Sequence, residues 1–205
     1  LIRVKKMVKR SVLTSSFILF PVMFGMAATA ESIVKILLTE KWLQAVPFLQ
    51  IHCFIYALWP IHTANLQALN AIGRSDIYLK VEITKKIVGI AILVISMFYG
   101  IYAIALGGLV SGLVNIGINS YPNKKILNYG FAEQLKDIAP SFFLAILMAG
   151  FVYTLNYINI NMYALLISQV LIGGVFYILL AYLLKLECFV YLINITKNIS
   201  IFKEK

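Results

Sequence analysis

The sequence predicts an all-α integral membrane protein, a bundle of six transmembrane helices with both termini in the cytoplasm. Three observations carry that expectation. First, 61% of the residues are hydrophobic and 13% are charged, where a soluble domain carries about a quarter charged residues. Second, the apolar residues gather into runs long enough to cross a bilayer, which takes about 20 residues at a rise of 1.5 Å each. Third, the basic residues fall on alternate connections between the runs. Five precede the first run, and the second connection holds four (Arg74, Lys80, Lys85, Lys86). The fourth connection holds three and the C-terminal tail four, whereas the first has only Lys35 and Lys41. Basic residues accumulate on the cytoplasmic side, so sixteen of eighteen are placed there.

The first span is expected over 11–34, with Pro21 near its middle and Gly25 leaving room for a neighbouring helix. Glu31 and Lys35 follow at i, i+4 with the acid first, the favourable order on a helix. They make either an interfacial pair or an ion or proton site facing a cavity, and Glu31 is the candidate for ion coupling. Trp42 anchors the interface. The second span, 43–72, is the one around which the chain is organised. Pro47 is tolerable in a first helical turn, whereas Pro60 lacks an N–H and should bend the helix. At about 100° per residue, His52, Tyr56, Trp59, Thr63, Gln67 and Asn70 fall on one side. Ile51, Phe54, Leu58, Ile61, Leu69 and Ile72 fall on the other, with Asn65 as a polar intruder. Lipid satisfies no hydrogen bonds, so a stripe of this kind is expected to line a cavity.

Gly73-Arg74-Ser75-Asp76 forms a polar turn, with Gly73 stopping one helix and Ser75 or Asp76 capping the next. The third span, 77–99, opens with Lys80, Glu82, Lys85 and Lys86, which suggest Asp76–Lys80 and Glu82–Lys86 pairs at i, i+4. These charges belong near a surface or an aqueous vestibule, since each costs about 2.5–3.5 kcal/mol at the membrane centre. Tyr99-Gly100 turns the chain into the fourth span, 101–121. There Gly108 and Gly112 make a GxxxG spacing for close helix packing, and Asn115 and Asn119 extend that face toward a neighbouring helix or a polar substrate. Pro122 is expected to end the span. Phe131, Leu135 and Ile138 then suggest an amphipathic helix within a cytoplasmic surface segment, 123–139. Pro140 opens the fifth span, 140–157, and Asn156, Asn159 and Asn161 form the turn into the sixth, 162–184. The tail, 185–205, is assigned to the cytoplasm, so the glycosylation triplets at Asn194 and Asn198 count as chance matches. The whole chain, 1–205, is treated as a single transmembrane domain.

The residue types point away from an enzyme. His52 and His62 lie about 15 Å apart along one helix axis and cannot share a metal. Glu133 and Asp137 suit a solvated face, and no nucleotide-binding or nucleophile motif is present. Cys53 and Cys188 lack both disulfide and metal spacing and serve as small apolar fillers. No cofactor and no metal are expected. The net charge of +10 is spread between apolar spans, so nucleic acid is not an expected partner.

Several segments carry a resemblance to a known family: Phe20-Pro21 with Gly25, Ala30-Glu31, Lys41-Trp42, Ala45-Val46-Pro47-Phe48-Leu49-Gln50-Ile51, and Leu69-Asn70-Ala71-Ile72-Gly73-Arg74-Ser75-Asp76. Leu79-Lys80, Glu82 and Lys85-Lys86 extend it. Across roughly residues 5–160 the chain resembles the Wzx-type polysaccharide or O-antigen flippases, lipopolysaccharide biosynthesis proteins of the multidrug/oligosaccharidyl-lipid/polysaccharide exporter superfamily. Thr39 departs from the pattern, since members usually have glycine there. The resemblance implies two bundles of six helices, often with two more. The present spans would be the last six of fourteen, and the opening Leu1 fits a C-terminal portion of a longer transporter. It implies alternating-access export of polyprenyl-pyrophosphate-linked oligosaccharide to the periplasmic leaflet of the bacterial inner membrane. On that basis Arg74, Lys80, Lys85 and Lys86 are candidates for the diphosphate, and Tyr56, Trp59, Thr63, Gln67 and Asn70 for the sugars, with His52 a further substrate-binding candidate in the cavity. Topogenic charge and lipid contact explain the cations equally well. Membrane lipid, a polysaccharide polymerase and chain-length proteins are the further partners implied. A drug exporter of the same superfamily and a non-transporting scaffold for glycan assembly are the alternatives.

Overall fold

Apolar residues at helical spacing set the register of every long element in the computed structural model, which describes residues 1–158 and 160–193. Helix α1 spans Ile2–Ala28 and buries Val8, Val12, Phe17, Phe20 and Phe24 along one face. A short α2, Ala30–Leu38, follows, and a 3-10 turn over Glu40–Ala45 leads into α3, Val46–Ala57, and α4, Trp59–Ala71. The remaining helices are α5, Ser75–Met97, α6, Ile101–Leu127, α7, Phe131–Thr154, and α8, Met162–Leu183. The chain is an all-α membrane protein. Five helical stretches among the described residues are long and apolar enough to cross a bilayer: α1, Glu40–Ala71, α6, Phe131–Tyr157 and α8. Helix α5 has 23 residues, enough length to cross, but Lys80, Glu82, Lys85 and Lys86 lie in its first half.

Helices α1 and α7 form the centre of the bundle, with α8 and the α3–α4 pair packed around them. Phe20 and Phe24 meet Phe142 edge-on at 5.6 and 5.4 Å, and the Tyr177 hydroxyl donates to the Phe17 carbonyl at 2.9 Å. Helix α6 packs against α3, α4 and α5. Both cysteines are buried and unbridged, in keeping with apolar fillers.

The bend expected at Pro60 is present. The helix breaks at Leu58, and Pro60 occupies the first turn of α4, where its missing N–H costs nothing. Gly73 stops α4 with φ +77°, and the Arg74 N–H reaches back to the Leu69 carbonyl at 3.0 Å. Asn161 caps α8 by accepting from the Tyr163 N–H at 3.0 Å. Asn159, the glycosylation triplets at Asn194 and Asn198, and the tail lysines Lys197, Lys203 and Lys205 lie outside the described residues.

The segment 123–139 departs from expectation. It forms no separate surface helix: α6 runs through Pro122 to Leu127, and α7 starts at Phe131 and runs through Pro140. The carbonyl that Pro122 leaves without its helical donor is that of Ile118, and a membrane helix tolerates an internal proline of this kind through local backbone adjustment and neighbouring helices. The helix ends instead at Asn128, in the left-handed conformation with φ 51°. The expected pairs in α5 also differ. Arg74 forks Asp76 with bonds of 2.9 and 3.0 Å, and Lys85 pairs with Glu82. The planar guanidinium offers Asp76 two bonds where Lys80 could give one.

Thr39, between α2 and the 3-10 turn, has φ 72° and ψ 169°, a region that glycine alone enters freely. Thr39→Gly is therefore expected to stabilise the protein by about 1–2 kcal/mol, seen as a higher Tm in detergent. An unchanged or lower Tm would show that the turn holds no strain.

Candidate functional site

The face that positions the candidate site is the cleft between α1 and α4. Small residues on both helices, Ser11, Ser15, Ala64, Ala68 and Ala71, leave an open groove of about 620 Å³. Trp59, Thr63 and Gln67 line it from α4, and Val4, Met7 and Ile18 line it from α1. These three α4 residues belong to the polar stripe seen in the sequence. The stripe continues on the surface toward α3. His52 and Tyr56 are exposed, and the rings from His52 through Tyr56 to Trp59 stand 6.3 and 6.1 Å apart. His52 Nδ1 lies 2.8 Å from the Phe48 carbonyl, and Thr63 Oγ1 donates to the Trp59 carbonyl at 3.1 Å. Asn70 is exposed and outside the groove lining. All six stripe residues thus lie on the outside of this bundle, available to a partner bundle, to water or to lipid.

The candidate cations do not converge on the groove. Arg74 is held by Asp76, and its guanidinium, hydrogen-bonded to that carboxyl, keeps Asp76 at a pKa of about 2. Lys85 is engaged with Glu82. Lys80 lines a separate groove between α5 and α6. On α2, just past the opposite end of α1, Glu31 pairs with Lys35 at 2.7 Å and remains largely exposed, the geometry of the interfacial pair.

A second constellation went unread in the sequence. Asn65, on the apolar side of α4, is fully buried and serves as the hub of an amide cluster. Its Oδ1 accepts from Asn123 Nδ2 at 2.7 Å and from Gln134 Nε2 at 2.8 Å, and its Nδ2 donates to Gln134 Oε1 at 2.7 Å. Asn119, one turn before Asn123, lies 3.0 Å from His62 Nδ1. Gln134 Nε2 also reaches the Tyr129 carbonyl at 3.2 Å. The Tyr129 hydroxyl donates to Asp137 at 2.8 Å, and Lys9 pairs with the other Asp137 oxygen at 2.9 Å. Burial and the Asp137 partner push the Tyr129 phenol well above its ordinary value, so it acts as a neutral donor. A polar belt therefore ties α4, α6, α7 and α1 together at the end of the bundle where α1 and α7 begin. Buried amides of this kind specify one arrangement of helices, because any other leaves them unpaired in a low dielectric. Asp137, expected on a solvated face with Glu133, is instead the inward anchor of this belt. Among the described residues no cluster of His, Cys, Asp and Glu is arranged to hold a metal ion.

Helical spans, buried polar ties and an exposed stripe define a multi-pass membrane protein. Residues 2–47 match the family described as polysaccharide biosynthesis protein. Over 175 residues the chain is 27% identical to an "uncharacterized membrane protein in cps region" from Klebsiella pneumoniae, an alignment covering 80% of this chain and 34% of that protein. The chain thus spans about a third of the length of the curated relative it matches. No solved structure matches. These similarities support a membrane protein of polysaccharide biosynthesis.

Proposed function

We propose that this bundle is part of a flippase that moves polyprenyl-pyrophosphate-linked oligosaccharide from the cytoplasmic to the periplasmic leaflet of the bacterial inner membrane. The supporting observation is the groove between α1 and α4, in which Trp59, Thr63 and Gln67 offer an aromatic face and hydrogen-bonding groups on a membrane-spanning element. A second helical bundle closing over this face would turn the exposed stripe into a wet passage, and rocking of the two bundles would give alternating access. In this proposal α5 crosses as the sixth span, both termini are cytoplasmic, and the polar belt marks the cytoplasmic end. Arg3 and Lys6, beside the groove residues Val4 and Met7, take the diphosphate role, since Arg74 and Lys85 already have carboxylate partners. The protein performs no covalent chemistry, and polymerase and chain-length proteins act on the glycan after transfer.

The test is reconstitution of the full gene product in liposomes with lipid-linked oligosaccharide. The Thr63→Leu/Gln67→Leu variant is expected to lose transfer by about tenfold or more, from two hydrogen-bonding groups worth about 1 kcal/mol each. Transfer equal to that of empty liposomes for the unaltered protein, or undiminished transfer in the double variant, would overturn the proposal. Efflux of cationic dyes without glycan transfer would point to the drug-exporter alternative, and loss of glycan assembly without either would point to a scaffold.

A further inference from the structure

The geometry points to a binding site for an anionic phospholipid in the groove between α5 and α6. This groove, of about 600 Å³, is separate from the stripe and shares none of its lining residues. Its floor is apolar, with Ile77, Val81 and Ile118 among the lining residues, and Lys80 and Lys125 supply its cations. Both lysines are exposed, and neither forms an ion pair among the described residues. Lys80 lacks its expected acid because Arg74 has taken Asp76. The Lys125 ammonium stands 4.7 Å from the centre of the Tyr121 ring, which holds it at the groove.

Gly117 is what keeps the groove open. A β-carbon built there meets nothing within 4 Å, so the missing side chain leaves a channel rather than a tight helix contact. The occupant must be amphiphilic, with a negative head for two unpaired cations and a hydrocarbon chain for an apolar trough. A phospholipid with a negatively charged headgroup, supplied by the surrounding bilayer, has both parts. Basic pockets between membrane helices on the cytoplasmic side recognise such headgroups. The site is independent of the flippase proposal, which rests on the α1–α4 groove, so each can fail without the other.

The experiment is native mass spectrometry of the purified full chain in detergent, with phosphatidylglycerol or phosphatidylcholine added at equal concentration. The unaltered protein is expected to retain phosphatidylglycerol preferentially. Lys80→Gln/Lys125→Gln should lower that retention by about tenfold, the order expected for two cations beside one headgroup. Gly117→Leu, which fills open space and leaves both lysines in place, should lower it as well, and Lys136→Gln should not. Equal retention of the two lipids would overturn the site, as would full retention in either groove variant. Displacement by glycerol phosphate as effective as that by phosphatidylglycerol would also overturn it, since the apolar trough would then contribute nothing.

Discussion

Asn65→Leu is expected to destabilise the bundle by about 2–4 kcal/mol, because it strips partners from two other buried amides at once. Gln134 Oε1 loses its donor and one Gln134 proton its acceptor at a fully buried position, while Asn123 Nδ2 loses its shortest bond and keeps the Asn65 and Asn119 carbonyls at 3.0 and 3.4 Å. Interhelical hydrogen bonds in membranes average only about 0.6 kcal/mol each. Even at that value the loss of several bonds, with their groups left unpaired, brings the sum to about 2 kcal/mol. Leucine keeps the branching and heavy-atom count of asparagine and is somewhat bulkier, so no cavity is left. The distinguishing measurement is a double-mutant cycle followed by Tm or denaturant unfolding in detergent. Replacing Asn65 and Gln134 together by leucine should cost less than the sum of the two single changes, since the second removes groups that the first has already orphaned. Strict additivity, or an Asn65→Leu protein as stable as the original, would mean that the belt does not hold the helices.

Gly107→Val is expected to cost about 1–3 kcal/mol through overpacking of the α5–α6 hairpin. A β-carbon at Gly107 runs into Ser96 Oγ and comes within 3.2 Å of Ser96 Cβ and 3.3 Å of Ile92 Cγ2. Ser96 cannot swing away freely, because its hydroxyl donates to the Ile92 carbonyl at 2.7 Å. Gly112→Val is the control. Nothing lies within 4 Å of a β-carbon there, so its effect on Tm should be near zero. If Gly112→Val proved the more damaging of the two, the helix contact would have been misassigned. Ser96→Ala in the Gly107→Val background should restore part of the loss by removing the closest atom.

Those two glycines show where local spacing stops being informative. Gly108 and Gly112 satisfy the GxxxG pattern, yet Gly112 faces open space and Gly108 meets only Ile55 of α3, at 3.3 Å. The close approach falls at Gly107, which no motif singles out. Spacing shows which residues share a face, but not which neighbour that face meets. Features set within one turn of chain were legible: the break near Pro60, the stop at Gly73 and the grouping of six polar and aromatic residues on one side, although that stripe lies on the outside of the bundle where it was expected to line a cavity. Pro122 is a poor boundary marker here because a membrane helix tolerates an internal proline that would end a soluble one. The amide belt was hidden for a different reason. Asn65 was visible as a polar residue on an apolar face, but its partners Asn123 and Gln134 are 58 and 69 positions away. Asn119 and Asn123 at i, i+4 beside a long apolar run were the available hint, and the Pro122 boundary divided them between two elements.

The belt also makes the bundle mechanically lopsided. Where α1 and α7 begin, amides and an ion pair lock four helices in one register. Toward the α7–α8 turn the polar contacts described join helices two at a time, as when Gln169 meets Asn156 or Gln50 meets the Ala27 carbonyl. Local opening is therefore expected to be easier at that end, seen as faster backbone amide exchange near the α7–α8 turn than around Asn65.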